Sequence, residues 1–428
     1  MSRRVAAFFV FVGMAYGQKA PDFSLQDYLP KWWKLSVEER VRFESNGGFA
    51  SRPDVDDSYL LHRLRMDTQV SLPGHFRLAL QAQDARVAWY GPSPVPTSLQ
   101  DRIDLRQAYV DYGDDESRNL RVRVGRQRIA LGEGRLVADP DWGNTGRAFD
   151  AARVTARVGQ VKVEAFASSV VEPVDGNWNR HRDANNLHGA YGSIAGVVPG
   201  ATLEPYVLWR LEPKSKTERG AAARQDTKTA GLRWFGKIMA SGDYTAELAL
   251  QRGSFGSDQA RAWAGHWVVG RTFRDCPWTP RVFGEYDYAT GDRNPKDGVQ
   301  GTFDQLYPSL HDKFGLADQY VWRNNHHGHI GLEASPAKKW KVAGGVHSMW
   351  LASLEDGVYR SNKLIVKSPV GNRNRHISTE LDGQVFWSPT PYTKINAGLG
   401  WIRAGSFLEA TNPAVLKSYV FVGVTRRL

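Results

Sequence analysis

The stretch "SYLLHRLRMDTQVS", Ser58 to Ser71, sets Leu60, Leu64, Met66 and Val70 on one parity and Arg63, Arg65, Asp67 and Gln69 on the other. Alternation with period two marks an extended strand whose two faces meet different surroundings. Segments of about ten residues with this pattern recur along the chain, the length a tilted strand needs to cross hydrocarbon. In the first half they fall at 33–44, 58–70, 75–84, 103–112, 119–128, 147–158, 160–169, 188–197 and 201–210. The second half adds 227–236, 242–252, 260–270, 279–289, 323–334, 340–351, 376–387, 392–402 and 417–427. That makes eighteen, and no convincing amphipathic helix lies among them.

The links between these segments alternate in length. "SLPG" (71–74), Gly159, "VPG" (198–200), "SPAKK" (335–339) and "SPTP" (388–391) are short and carry the Pro or Gly of tight turns. Between them lie 85–102, 129–146, 170–187, 211–226, 290–322, 352–375 and 403–416. Membrane barrels put short turns on the periplasmic side and long loops outside, whereas a soluble sandwich has no cause to sort its loops by length. The predicted fold is all-β: a closed antiparallel transmembrane β-barrel of about eighteen strands, with short periplasmic turns and long extracellular loops.

The faces agree with lipid outside and water inside. In 160–169, Val161, Val163, Ala165 and Ala167 alternate with Lys162, Glu164, Phe166 and Ser168. In 340–351, Trp340, Val342, Val346 and Trp350 oppose Lys341 and His347. An Arg or Lys facing mid-bilayer lipid costs roughly 2–4 kcal/mol, so charge belongs on the lumen parity. Glu39 is the exception, standing on the apolar parity of the first segment. Trp32, Trp33, Trp340, Trp350, Trp387, Tyr392 and Trp401 fall near strand ends, where aromatic rings anchor at headgroup level. The last segment, "SYVFVGVTRRL", aligns Val420, Val422, Val424 and Leu428, although it ends on Leu and not on an aromatic.

Composition narrows the setting. The net charge of +11 calls for an acidic partner: nucleic acid, anionic lipid or an anionic solute. Ser2-Arg3-Arg4, the apolar run "VAAFFVFVGM" and then "AYG" form a secretory signal, so 1–17 is expected to be removed. Export argues against nucleic acid. Residues 18–32 then form a short periplasmic segment, and 33–428 the barrel. Cys276 is the single cysteine, which excludes an internal disulfide. No later apolar run reaches about 18 residues, so a transmembrane helix is not expected.

Several stretches resemble the alginate-export family of outer-membrane barrels: "LRQAYVDY" (105–112), "VGRQRIALGEGRLVADPDWGNTGRAFDAARV" (124–154) and "YDYATGDRNPKDGVQGTFDQLYPSLHDKFGLADQ" (286–319). The similarity continues through "HSMWLAS" (347–353), "STELDGQVFWSPTPYTKINAGLG" (378–400) and "GSFLEAT" (405–411). It covers about residue 31 to the C-terminus. The resemblance implies an eighteen-stranded barrel with a strongly basic lumen that passes an anionic polysaccharide such as alginate outward, in the outer membrane of a Gram-negative-type bacterium. A porin for small anionic solutes or sugar acids fits the same residues. Segment 290–322 carries both signs of charge and is expected either to gate the mouth or to stand as a solvated extracellular loop.

Transport of anions needs inward donors along the path. Arginine suits this, because its planar fork pairs a carboxylate twice and keeps its charge. At a Debye length of about 8 Å one cation cannot select across a watery pore, but a ladder can. The lumen parity supplies Arg40, Arg42, Arg63, Arg65, Arg77, Arg121, Arg123, Arg153, Arg157, Arg233 and Lys341. Arg126 and Arg128 in "GRQR" fall on the other parity of a straight strand, and the adjoining glycines are expected to leave both near the mouth. Arg135 and Arg147 lie in the following loop and match the family's motif. Glu38, Asp67, Glu247, Glu285, Asp287, Glu333, Glu380 and Asp382 share the lumen parity, either to hold the arginines and keep binding shallow or only to brace the wall.

No cofactor, metal or catalytic residue is expected. An outer-membrane barrel hydrolase is the alternative of another class, since His347 and Ser348, and His376 and Ser378, lie close in sequence. However, no G-x-S-x-G, H-E-x-x-H or phosphate-binding glycine loop appears. His326, His327 and His329 cluster without a ligand partner fixed by spacing, which favours satisfied or solvated histidines. A plugged receptor barrel would have to draw its plug from the long loops, the N-terminal segment being too short. The expected partners are an anionic polysaccharide or sugar acid and outer-membrane lipid, with room for periplasmic export proteins.

Overall fold

The computed structural model describes residues 25–48, 57–113, 119–217, 221–360, 363–411 and 416–428. The expected signal segment lies outside the described residues. A short 3-10 turn, Leu25–Tyr28, leads into the sheet.

The first strands are β1 (Trp33–Gly47), β2 (Asp57–Leu72), β3 (Phe76–Ala88), β4 (Asp101–Tyr112), β5 (Leu120–Gln127), β6 (Phe149–Val158) and β7 (Val161–Glu172). They continue as β8 (Arg180–Ala195), β9 (Ala201–Lys216), β10 (Ala222–Ile238), β11 (Gly242–Phe255), β12 (Asp258–Thr272) and β13 (Arg281–Ala289). After β14 (Val299–Gln300) come β15 (Asn325–Ala337), β16 (Trp340–Leu351), the small hairpin β17 (Gly357–Arg360) and β18 (Lys363–Lys367), and finally β19 (His376–Thr390), β20 (Thr393–Ala404) and β21 (Leu416–Arg427). The main sheet has nineteen strands. One of them, β14, is a two-residue parallel addition beside β12. The other eighteen pair antiparallel with their neighbours, β13 joins β15, and β1 pairs with β21 from Glu38↔Arg427 to Gly47↔Ser418. The ring is closed, which removes the unpaired edge that lipid cannot satisfy.

Each of the eighteen segments predicted from alternation coincides with one of these barrel strands. The ends move: β8 begins at Arg180 and β10 at Ala222, so much of the expected links 170–187 and 211–226 is strand. At one end the turns are tight, as at Pro73–His75, 159–160, 338–339 and 391–392. The other end carries 128–148, 290–324 and 352–375, yet there Gly256 and Ser257 alone join β11 to β12. A six-residue helix, α1 (Ser406–Thr411), sits in the link between β20 and β21, where strand alternation gave no sign of it.

The two faces of the wall sort as alternation demands. On β2, Leu64 and Met66 are 41% and 50% exposed, while Arg63 and Arg65 are 1% and 4% exposed. Leu78, Leu80, Val124, Val163, Leu232, Leu248, Val282, Leu332, Leu381 and Leu399 extend the outward apolar band around the ring. Trp340 stacks on Trp387 with centroids 5.3 Å apart, beside the tight turn at 338–339. Glu39 keeps its outward place and meets His62 at 3.0 Å, with Arg426 opposite it on β21.

Inside the ring, 128–148 and 290–324 pack against the wall and each other. Leu136, Val137, Phe303, Leu306, Phe314 and Trp322 form one buried apolar cluster with Phe149, Phe166, Leu187, Leu208, Ala249, Ala262 and Ala264 of the wall. Alanines on β11 and β12 leave room for the aromatics of the second loop. Val137 and Tyr307 form a parallel bridge between the loops, and Arg147 donates to the carbonyls of Tyr307 and Pro308 at 2.6 and 3.0 Å. Burying each large apolar side chain stabilises this inward arrangement by about 1.5–3 kcal/mol. Segment 290–324 is therefore neither a cap over the mouth nor a solvated outer loop: its aromatics take it into the barrel.

Candidate functional site: an arginine-lined lumen crossed by two loops

Most of the inward-facing arginines are gripped by partners. Arg40 of β1 and Arg63 of β2 donate to the carbonyl of Asp141 at 2.7 and 3.0 Å, and Arg65 donates to its Oδ1 at 2.5 Å. Glu38 holds Arg63 at 2.7 Å and Arg427 at 2.6 Å. Arg42 pairs with Glu44 at 2.6 Å and lies 3.7 Å over the ring of Trp142. Across the lumen, Arg233 of β10 bridges Glu133 of the first loop and Glu204 of β9, each at 2.6 Å. The same loop extends Arg135 to Glu285 and to Asp287, the latter at 3.1 Å. The loop is thus a cross-beam whose acids meet wall arginines and whose arginine meets wall acids.

Loop sequence explains the inward fold. "GEGRLVADPDWG" interleaves Leu136 and Val137 with Glu133, Arg135, Asp139 and Asp141, so one segment can fill apolar space and still satisfy charged walls. Gly132 (φ 54°) and Gly134 (φ 74°) turn it in the left-handed region that favours glycine. Burial works to raise the Asp141 carboxyl, but Arg63 and Arg65 beside it hold it well below the usual carboxylate range. Asp139, despite burial, is likewise kept low by Arg106.

At the tight-turn end the charge balance is different. Asp111 of β4 accepts from Arg77 at 2.5 Å and from Arg121 and Arg123 at 2.7 Å each, so three guanidinium groups share one carboxylate. Arg153 pairs with Glu164 at 2.5 Å. Arg157 and Lys341 stand exposed at the same end of the wall, and so does Glu333, 3.6 Å from Arg281.

Other expected positions take different roles. Arg126 occupies the parity opposite Arg121 and Arg123 and pairs with Asp150 of β6 at 2.8 Å, bracing the wall instead of joining the ladder. Arg128 opens the loop and meets Asp139 at 3.1 Å. Of the acids expected to hold arginines, Asp67 accepts from Gln81 at 2.6 Å, Glu247 from the Tyr206 hydroxyl at 2.8 Å, and Glu380 from the backbone of Ala317 at 3.0 Å. Asp382 meets His347 at 3.1 Å. These four tie hydroxyl, amide and imidazole groups instead; Arg233 stands opposite Glu247 on β10 but turns to Glu133 and Glu204.

Residues that alternation missed are the partners. Asp111, Glu133, Asp139, Asp141 and Asp304 clamp the basic side chains, and Arg106 and Arg210 join them, Arg210 donating to Asp304 at 2.8 Å. For Glu133, Asp139, Asp141 and Asp304 the signal was the density of Leu, Val, Phe and Trp within links 129–146 and 290–322, too apolar for loops that stay in water.

Two cavities flank the inward loops. One, of about 350 Å³, lies toward the long-loop end and is lined by Arg42, Tyr59, Trp142, Arg147, His311 and Tyr419. The other, of about 200 Å³, lies nearer the tight turns and is lined by Arg135, Lys313, His329, His347, Asp382 and Gln384. His266, Glu285 and Asp287 gather ligand-type atoms within 4.8 Å of one another, but the Arg135 guanidinium contacts both carboxylates, where a metal ion would need to sit. Ser348 and His376 do approach, at 3.3 Å, yet His376 has no carboxylate partner among the described residues.

Comparison with known proteins places this arrangement. The family described as Alginate export matches residues 31–422. No curated protein matches in sequence. Among solved structures, the chain is similar to Pseudomonas aeruginosa OccK11 (OpdR), with a TM-score of 0.59 and 12% identity over 96% of this chain and 99% of that one. It is similar also to Pseudomonas aeruginosa OpdK with vanillate, with a TM-score of 0.64 and 8% identity over 92% and 98%. At such identities the likeness is one of fold. Together, the family match and the closed eighteen-stranded ring make this an outer-membrane channel barrel, and the chain belongs to the alginate export family.

Proposed function

We propose that the protein is a passive, anion-preferring channel for acidic sugars, with its tight turns in the periplasm and its long loops outside. The observation that carries this is the pair of Arg121 and Arg123 on the one carboxylate of Asp111, with Arg157 exposed at the same end of the wall, so that positive charge faces the water of the lumen. An anion drawn to this charge meets forked donors of the right geometry. Acidic partners nearby keep its hold shallow, as conduction requires.

The inward loops favour small cargo. A cavity of about 350 Å³ falls in the size range of a site for one small molecule. Single sugar acids or short oligouronates suit it better than a threaded polymer. Export of an acidic polysaccharide is the second reading, and the family match favours it.

Liposome swelling tests the proposal. Vesicles carrying the barrel are expected to admit glucuronate faster than glucose, although the two are similar in size. Equal rates, or faster entry of the neutral sugar, would overturn anion preference. Passage of long polyuronate chains at rates like those of the monomer would favour the polysaccharide reading.

A further inference from the structure

A row of basic side chains runs along the outer face of the wall toward its long-loop end. Lys228 of β10 stands opposite Arg252 of β11, and Arg252 stands opposite Arg261 of β12. All three residues are exposed. On the other side of Lys228 stands Trp209 of β9, with the ammonium 5.3 Å over its ring. Neighbouring strands lie about 4.8 Å apart, so three cations share about 10 Å of surface.

The row marks the outer edge of the apolar band. The outward parity of β11 reads Tyr244, Ala246, Leu248, Leu250 and then Arg252, shortly before the Gly256–Ser257 turn. From Gly242 at the tight-turn end to Arg252, a strand tilted by about 40° climbs about 25 Å, the height of the apolar band of a membrane barrel. Trp263 of β12 lies on the outward parity just below Arg261, as an aromatic at headgroup level would. A cation at this height avoids the cost of mid-bilayer lipid and meets headgroups.

Its charges are not balanced by the protein. Like charges directly opposite each other on paired strands are destabilising, and here two such contacts follow in succession. Asp226 is the one carboxylate that reaches the row among the described residues: it lies 3.7 Å from Lys228 and accepts the Trp209 indole N–H at 2.8 Å. Arg252 donates to the carbonyl of Gln251 at 2.7 Å and Arg261 to the amide oxygen of Gln259 at 2.6 Å, both neutral. Elsewhere on the outer face an arginine has its own acid, as Arg86 has Asp84 at 2.9 Å and Arg126 has Asp150 at 2.8 Å. Three cations against one carboxylate leave the row a net positive surface where headgroups lie.

We propose that this row is a binding site for a multiply phosphorylated glycolipid of the outer leaflet. Its phosphates sit across Lys228, Arg252 and Arg261, and its acyl chains lie along Leu248, Leu250 and Trp263. A guanidinium offers a phosphate two parallel N–H donors, and an ammonium adds a point charge. Two arginines beside a lysine suit a headgroup with two phosphates better than one with a single diester. The bound lipid offsets the repulsion along β10–β12. The site takes from the proposed function only that the long loops face outside; it lies on the opposite side of the wall from the lumen.

Native mass spectrometry of the full barrel in neutral detergent tests the site, with bisphosphorylated lipid A as the probe. Wild type is expected to retain lipid A, less firmly as salt rises. Lys228→Gln, Arg252→Gln and Arg261→Gln combined should weaken retention roughly tenfold to a hundredfold. Lipid A stripped of its phosphates should bind wild type as weakly. Heat-modifiable migration on a gel identifies folded barrels and gives a second readout. Without lipid the triple variant should unfold no earlier than wild type, because the like-charge contacts are gone, and only wild type should gain on adding lipid A. Equal retention by wild type and the folded triple variant, or equal binding of the phosphate-free lipid, would overturn the site. Loop placement is read apart from this: on intact cells a membrane-impermeant maleimide should label Ser257→Cys, beside the row, and spare the exposed Cys276 at the opposite end. The reverse labelling would overturn the outside placement and the outer-leaflet lipid with it. Zero-current potentials report anion preference independently of both.

Discussion

Asp141 accepts a hydrogen bond from Arg65 at 2.5 Å through its side chain, while its backbone carbonyl receives Arg40 and Arg63. One loop residue thereby quiets three arginines on two neighbouring strands. The number of arginines in the lumen is therefore a poor guide to its effective charge, because the loop's acids cancel part of the ladder.

Asp141→Asn is expected to leave the backbone carbonyl in place and return one positive charge to the lumen. The Asp141 side chain is 56% exposed, so the stability lost is about 1 kcal/mol or less. The zero-current potential in a potassium chloride gradient should move further toward that of chloride. A shift toward potassium would contradict the assignment.

Neutralising Arg63, Arg65, Arg121, Arg123 and Arg153 together to Gln removes five positive charges from two regions of the wall. Selectivity should move toward cations. Single neutralisations should differ in size: Arg121, 35% exposed and sharing Asp111 with two others, should change the potential more than Arg63, which Glu38 already offsets. Reversal potentials measured on the single and combined variants check the order.

Trp322→Ala removes a fully buried ring from the loop cluster and should cost about 3–5 kcal/mol of local stability. Trp322 lies outside the barrel strands, packs in the cluster against the wall, and donates its indole N–H to the Tyr288 carbonyl. The barrel should therefore fold, while open-channel noise and mean conductance rise. Unchanged current traces would show that the second loop does not restrict flow.

Acid should release the first loop only late. Asp139 and Asp141 are both held below the ordinary aspartate value of 3.8 by neighbouring arginines, against the effect of burial. A depressed carboxylate stabilises in full above its unfolded value, and this is lost as pH falls through the folded one. The loop grip should thus persist in full to about pH 4 and weaken progressively below it. The fluorescence difference between wild type and Trp142→Phe, followed from pH 6 to pH 2, checks this.

Much of the wall could be read in the chain. Alternation located all eighteen barrel strands because lipid tolerates so little charge that the outward parity is nearly pure. Arg63 and Arg65 declared themselves for the same reason. The lumen was harder. Phe166 and Ala249 stand on the inward parity among polar residues, and only the loops packed against them explain why. Pairing across the lumen, as between Arg135 and Asp287 or Arg210 and Asp304, joins residues far apart in sequence and leaves no periodic trace. Arg126 went astray because β5 stays in register through Gly125, where a bulge was expected.

The most direct measurement is the zero-current potential of the purified barrel in a planar bilayer under a salt gradient at neutral pH. The sign that marks chloride preference is expected, with the current partly blocked by added oligouronate and not by a neutral sugar of the same size. A potential of the opposite sign, or a folded barrel that carries no current, would contradict an anion path along the arginine wall.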